Sequence, residues 1–178
     1  LNGTRNVTKA AFPIMREKAY GRIVMTTSSA GLYGNFGQTN YSAAKMGITG
    51  LANALRLEGA KYNIRVNTIA PVAGSRLTAQ VMPEDLIKAL RPEYVAPLVA
   101  YLCSEECEET GFIYSVGGGY FSRIAYFEGE GVFLGTEKEI TIEDVQAKMA
   151  EINDLSNSVE TTQASQQSAK VLKLMGIM

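Results

Sequence analysis

The chain has 178 residues, 46% of them apolar, with 17 Lys and Arg against 18 Asp and Glu and a net charge of −1. That length and apolar content support one folded domain with an appendage, not a disordered chain. The balanced charge, without a Lys/Arg block, argues against nucleic acid as the main partner, and no apolar run approaches the ~20 residues that cross a bilayer.

In chain order, residues 3 to 19 are expected to form a helix with Val7, Ala10, Ala11, Ile14 and Met15 as its apolar stripe. Pro13 inside it costs one hydrogen bond or a kink. Residues 22 to 28 read as a buried strand around Ile23-Val24-Met25. Residues 29 to 39 read as a Gly/Asn-rich loop suited to a substrate-facing wall. Thr39 or Asn40 is the expected cap of the next helix, which runs to about Lys61. Ala44, Ile48, Leu51 and Leu55 form its inward stripe. Ala43, Gly47, Gly50 and Ala54 form a second face of small residues, read either as close packing on a sheet or as a seam with a second copy of the chain. Ile64 to Ala70 is the next strand, ended by Pro71. Residues 76 to 90 hold a short amphipathic run, Tyr94 to Leu102 a helix, and Phe112 to Val116 the last strand of this part. Gly117-Gly118-Gly119 has no helix pattern after it and does not read as a dinucleotide fingerprint.

Arg123 to Phe133 is expected to form a short strand pair around Gly129-Glu130-Gly131. Thr141 caps a further helix with acidic residues in its first turn. Ile142, Val145, Met149, Ile152 and Leu155 form the stripe of that helix, expected to pack against the body or a second copy. Residues 156 to 169 are rich in Ser, Thr and Gln and read as a flexible connector. Val171, Leu172 and Leu174 follow in a short apolar segment. The expected domain organisation is therefore 1–120, 121–155 and 156–178.

Histidine is absent, which removes Ser-His-Asp, Cys-His and histidine–metal chemistry from these residues. Cys103 and Cys107 are the only cysteines and have no other soft ligand, so no metal site is expected. Two free thiols suit a reducing compartment.

The chemistry concentrates around Tyr41 and Lys45. They lie four residues apart on one helix face, so the ammonium can sit beside the phenol. A free tyrosine has a pKa of about 10 and is a poor base at neutral pH. A neighbouring cation favours its phenolate, which makes the pair a candidate proton shuttle. Ser28, thirteen residues before Tyr41, falls at the carboxyl end of the strand over 22–28. Open α/β sheets place their chemistry at that end.

Gly21-Arg22-Ile23-Val24-Met25-Thr26-Thr27-Ser28-Ser29, then Gly31, Gly34 and Gly37, then Tyr41 and Lys45, then Ile64-Arg65-Val66-Asn67-Thr68-Ile69-Ala70-Pro71 form an ordered series. It resembles the short-chain dehydrogenase/reductase family over residues 1 to about 120. Tyr33 to Gln38, Ala70 to Thr78, Val81 to Leu86, and Pro92 to Val99 look more narrowly like the (3R)-hydroxyacyl-CoA dehydrogenases within it. The resemblance implies an α/β fold: the C-terminal half of a Rossmann-like, doubly wound parallel sheet, here with a C-terminal helical extension. It implies NAD as cofactor and oxidation of a (3R)-3-hydroxyacyl-CoA in fatty acid β-oxidation. It gives Tyr41 the acid/base role, Lys45 the nicotinamide ribose, and Ser28 the reacting oxygen. Pro71, Ala73 and Thr78 would meet the cofactor, although Thr78 serves equally as a helix cap. Residues 76 to 90 would cover the substrate. The family usually has glycine after the proline; Val72 stands there, and Gly74 is the expected source of the tight turn.

The resemblance further implies a homodimer, a fused or separate hydratase, and a peroxisomal location, for which these residues carry no Ser-Lys-Leu address. The family opens with a strand, a Gly-rich turn and a helix that hold the pyrophosphate. No such element is legible here, and Asn2 is one position too late for the family's asparagine. The chain is therefore expected to be a C-terminal half that does not hold NAD stably by itself. A non-catalytic dimerisation module, or one half of a split dehydrogenase, is the alternative. A hydroxysteroid is the alternative substrate.

Overall fold

A computed structural model describes residues 1–75 and 83–177. The chain divides into two compact units, Leu1–Ile124 and Ala125–Met178.

The first unit is an α/β layer structure. Helix α1 (Asn2–Glu17) leads into strand β1 (Gly21–Thr26), the short helix α2 (Ser29–Tyr33) and the long helix α3 (Thr39–Gly59). Strand β2 (Ile64–Pro71) is followed by α4 (Glu84–Ala89), α5 (Ala96–Leu102), β3 (Ile113–Gly117) and β4 (Tyr120–Ile124). The sheet order is β1-β2-β3-β4. The first two pairings are parallel and the last is antiparallel, so the sheet is mixed. The β3–β4 hairpin turns on Gly118 and Gly119, both at positive φ (56° and 81°). Two left-handed residues in a two-residue loop match the right-handed twist of the flanking strands.

Strand residues alternate between two cores, as a period of two requires. Met25, Ile64 and Val66 pack with Phe12 of α1 and with Ile48, Ala52 and Leu55 of α3 on one face. Ile69 and Val116 pack with Leu102 of α5 and Cys107 on the other. The expected inward stripe of α3 is confirmed at Ile48 and Leu55, with Ala52 and Thr49 added.

The stripe expected on α1 is corrected, except at Met15, which packs partly buried against the same core as Phe12. Val7 and Ile14 are 71% and 54% exposed, and the buried residues are Thr8 and Phe12. Apolar side chains occupy two faces of this helix, and periodicity does not say which one meets the sheet. Thr8 is tolerated inside because its hydroxyl donates to the Thr4 carbonyl at 2.8 Å. The other apolar face, with Val7 and Ala11, lines an open groove that also includes Ile23, Val24, Ile69 and Val99. Among the described residues β1 pairs only with β2, so its outer edge is open beside this groove.

Arg22 on that edge strand ties distant segments together. Its guanidinium donates to the carbonyls of Ser104 (3.1 Å), Asn63 (3.0 Å) and Gly21 (2.9 Å) and stacks on the Tyr20 ring. The planar fork of arginine suits this multiple donation.

In the second unit, β5 (Phe127–Glu128) pairs antiparallel with β6 (Val159–Glu160), and α6 (Ile142–Ile152) and α7 (Ala164–Leu174) are the helices. The local strand pair expected within 123–133 does not form, because Arg123 and Ile124 belong to the β3–β4 hairpin. The segment expected as a flexible connector instead supplies β6 and α7. At the start of α7 the Gln166 side-chain oxygen accepts from the N–H groups of Thr162 and Gln163, and glutamine is a good helix former. The start of α6 follows the sequence reading: Thr141 and Asp144 cap it reciprocally. Neither helix has a buried residue, and Ile142 in the expected stripe is 82% exposed.

Candidate active site

Parallel pairing sets Thr26 level with Ile69. Ser28 and the Pro71–Ser75 segment therefore leave the sheet at the same, carboxyl end. The chain past β1 does not stay a loop. Ser28 is the N-cap of α2, with extended backbone, and its Oγ accepts a hydrogen bond from the Ala30 N–H at 3.2 Å. A hydroxyl used as an acceptor in a cap keeps its own hydrogen to donate. The loop proper is Gly34 to Gln38, where Gly34 and Gly37 take positive φ (80° and 74°).

Helix α3 begins without a side-chain cap: its N-cap is Gln38, not Thr39 or Asn40. Asn40 instead accepts from the Tyr41 N–H through its own Oδ1 at 2.8 Å. Tyr41 lies in the first turn and is 43% exposed. Lys45, one turn on, is half-buried, and its Nζ lies 5.6 Å from the centroid of the Tyr41 ring. The same ammonium donates to the Thr26 carbonyl at the end of β1, at 3.0 Å. One of its three N–H groups is thus spent on the strand, and two remain for a ligand.

The structure therefore brings Ser28, Tyr41 and Lys45 to one end of the β1–α3 layer. Pro71 ends β2 at that same end, in register with Val116 of β3. Val72 continues the pairing through its N–H to the Val116 carbonyl at 2.8 Å, which places Ala73 just beyond the sheet. Thr78 lies outside the described residues, as does much of the segment expected to cover a substrate. Gly74, the expected source of a tight turn, is not among the residues with positive φ. It is buried and donates to the Leu90 carbonyl at 2.6 Å. A β-carbon there would come within 2.8 Å of the Ile87 carbonyl oxygen, so its glycine is explained by close approach to α4.

Sequence reasoning missed four contributors: the Thr26 carbonyl, Gly31, and the buried hydroxyls of Thr27 and Thr49. The signals were present. Thr27 precedes Ser28, and Thr49 stands one helical turn after Lys45 on the same face. The fold also shifts the acidity of two groups on the α5–β3 segment. Burial pushes the Cys107 thiol up. Burial, with Glu109 nearby, raises the Tyr114 phenol to about 12.

What such an arrangement can do is proton transfer at a hydroxyl or carbonyl oxygen. A phenol on a helix turn faces solvent with an ammonium fixed beside it, and a hydroxyl donor sits at the adjacent strand end.

Residues 1–84 match the model of the short chain dehydrogenase family. The chain is 51% identical over 158 residues to a short-chain type dehydrogenase/reductase of Mycobacterium tuberculosis, a match covering 89% of this chain and 54% of that protein. It is 51% identical over 159 residues to peroxisomal multifunctional enzyme type 2 of Mus musculus, covering 89% of this chain and 22% of that protein. Among solved structures, full-length peroxisomal multifunctional enzyme type 2 from Drosophila melanogaster superposes with a TM-score of 0.89 at 38% identity. That match covers 99% of this chain and 32% of the other. The chain thus spans about half the length of the first of these relatives and smaller shares of the others.

Proposed function

We propose that this chain, which belongs to the short-chain dehydrogenase/reductase family, carries the proton-transfer site of an NAD-dependent oxidation of (3R)-3-hydroxyacyl-CoA to 3-ketoacyl-CoA. The supporting observation is the Lys45 ammonium, held on the Thr26 carbonyl and 5.6 Å from the Tyr41 ring, with Ser28 just past the end of the same strand.

In this reading the Tyr41 oxygen takes the hydroxyl proton of the substrate. Ser28 donates a hydrogen bond to the oxygen that becomes the carbonyl, where charge develops. Lys45 holds its positive charge beside the tyrosine, fixed there by the Thr26 carbonyl. Bound NAD supplies the hydride-accepting chemistry. The residues present fit its nicotinamide–ribose end: Lys45 has two N–H groups to spare, and Pro71 and Ala73 leave the sheet at the same end. A phosphate-holding turn at a helix N-terminus has no counterpart among the described residues. We assign the pyrophosphate contacts to a segment outside this chain, consistent with the greater length of its relatives.

The narrower substrate class rests on the likeness to the peroxisomal multifunctional enzymes. The same likeness supports a peroxisomal setting and a hydratase joined to or working with this chain. A homodimer through α1 and α3 completes the reading. The small-residue face of α3 suits it, since a β-carbon on Gly50 would meet open space.

The test is NADH formation by the full natural polypeptide with (3R)-3-hydroxyacyl-CoA, its (3S) epimer and a hydroxysteroid. Turnover of the (3R) thioester above the other two is expected. Turnover of the steroid alone would transfer the site to that substrate class, and none with any of the three would refute an oxidoreductase role.

A further inference from the structure

Two threonines outside the reacting set hold the turn of α3 that carries Lys45. Thr27 and Thr49 are each 1% exposed, among the most deeply buried polar side chains of the first unit. A hydroxyl this deep is costly unless it is hydrogen-bonded. Here the two are bonded in series. The Thr49 hydroxyl donates to Thr27 Oγ1 at 2.9 Å, and Thr27 Oγ1 donates to the Lys45 carbonyl at 2.8 Å. Thr27 is fixed in turn by its N–H, which donates to the Ile69 carbonyl of β2 at 2.8 Å.

The Lys45 carbonyl lies within α3, where the helix ladder already gives it a partner. The hydroxyl from Thr27 is therefore an additional tether, and it comes from the end of β1. Lys45 is consequently held to that strand end at two points. Its ammonium binds the Thr26 carbonyl, and its own carbonyl binds the Thr27 side chain. Thr26, the last residue of β1, and Thr27, just past it, grip one helix residue by both its side chain and its backbone. A single tether would let the helix rotate or slide; two, some distance apart on Lys45, fix both.

We infer that Thr27 and Thr49 are positioning residues for the Tyr41–Lys45 pair, acting through a buried hydroxyl relay that sets α3 against the carboxyl end of β1. The inference rests on the assignment of Tyr41 and Lys45 as the proton-transfer pair. The two hydroxyls are unequal. Without the Thr27 hydroxyl the tether to the Lys45 carbonyl is lost, and Thr49 Oγ1, 3.4 Å from that carbonyl, is a poor substitute. Without the Thr49 hydroxyl the Thr27 tether survives.

The experiment compares Thr27→Val, Thr49→Val, Thr27→Ser and the double valine variant in the full natural polypeptide with NAD and (3R)-3-hydroxyacyl-CoA. Melting temperature is measured alongside. Small displacements of a reacting group lower turnover steeply, so Thr27→Val is expected to lower kcat about tenfold with KM for the thioester nearly unchanged. Thr49→Val should fall clearly less, and the double variant little further than Thr27→Val. Thr27→Ser, which keeps the hydroxyl and loses a methyl group, should retain most of the turnover. Three results would overturn the inference: a lowered melting temperature with kcat intact, an equal loss in Thr27→Ser and Thr27→Val, or a larger effect from Thr49→Val. A wild-type protein inactive on NAD with every substrate would instead overturn the assignment on which it rests.

Discussion

Gly31 of α2 backs directly onto Lys45 of α3. A β-carbon on Gly31 would sit 2.7 Å from the Lys45 β-carbon and 3.0 Å from the Met46 nitrogen. The contact is with a β-carbon and main chain, neither of which can swing away as the end of a flexible side chain can. Gly31 needs its glycine for space, since its φ is not in the left-handed region.

Gly31→Ala should therefore push α2 and the Lys45 turn apart. Overpacking of this kind costs about 1–3 kcal/mol. Thermal unfolding of the full polypeptide should show that loss, and turnover should fall because Ser28 caps one of the displaced helices and Lys45 rides on the other. Unchanged stability and rate in the Gly31→Ala variant would mean that the two helices are held less tightly than the structure shows.

The cysteines should differ in reactivity. Cys103 is exposed and Cys107 buried. Burial raises the Cys107 thiol, and Glu109, whose carboxylate is 3.4 Å from its sulfur, raises it further. Since the thiolate is the nucleophile, iodoacetamide at neutral pH should label Cys103 in the native protein and reach Cys107 only in denaturant. Mass spectrometry of the two peptides reads this directly. Equal native labelling would contradict the burial of Cys107.

Helix α6 should be acid-sensitive at its start. The Asp144 carboxyl is held below its ordinary value, first by the Thr141 backbone N–H and then by Lys138. A carboxylate with a lowered folded-state pKa contributes its stabilisation above the unfolded value and loses it as pH falls through the folded value. Helicity of the second unit should hold at neutral pH and decline below the ordinary carboxylate range. Asp144→Asn should flatten that decline, and circular dichroism across an acid titration checks it. An identical titration in the variant would place the acid sensitivity elsewhere.

Much of the first unit was legible because its signals are local and repeated. The apolar run Ile23-Val24-Met25, the run from Ile64 to Pro71 and the stripe of α3 each carry a period that sterics impose. Ser28, Tyr41 and Lys45 were picked out by their spacing together with the ordered series of residues around them. Several features were not read. Helix α2 spans only five residues, too few for periodicity to register. The face of α1 that packs was misjudged because both faces carry apolar residues. The β3–β4 hairpin was missed although Gly118-Gly119 is the dipeptide that two left-handed positions ask for. Helix α7 was hidden by composition: its Ser and Gln content suggests a linker, while Gln166 takes up the N–H groups of Thr162 and Gln163 at the helix start. The hydroxyl relay through Thr27 and Thr49 was out of reach, since it joins a strand to a helix turn 22 residues away.

The most direct test of the central claim is the turnover of Tyr41→Phe in the full natural polypeptide, with NAD and (3R)-3-hydroxyacyl-CoA. Removing one oxygen deletes the proton acceptor and leaves the ring beside Lys45. Because a positioned acid/base contributes about 10²–10⁴-fold, kcat should fall by at least about 100-fold while the melting temperature holds. Turnover within twofold of the natural protein would contradict the assignment of Tyr41 and, with it, the proposed site.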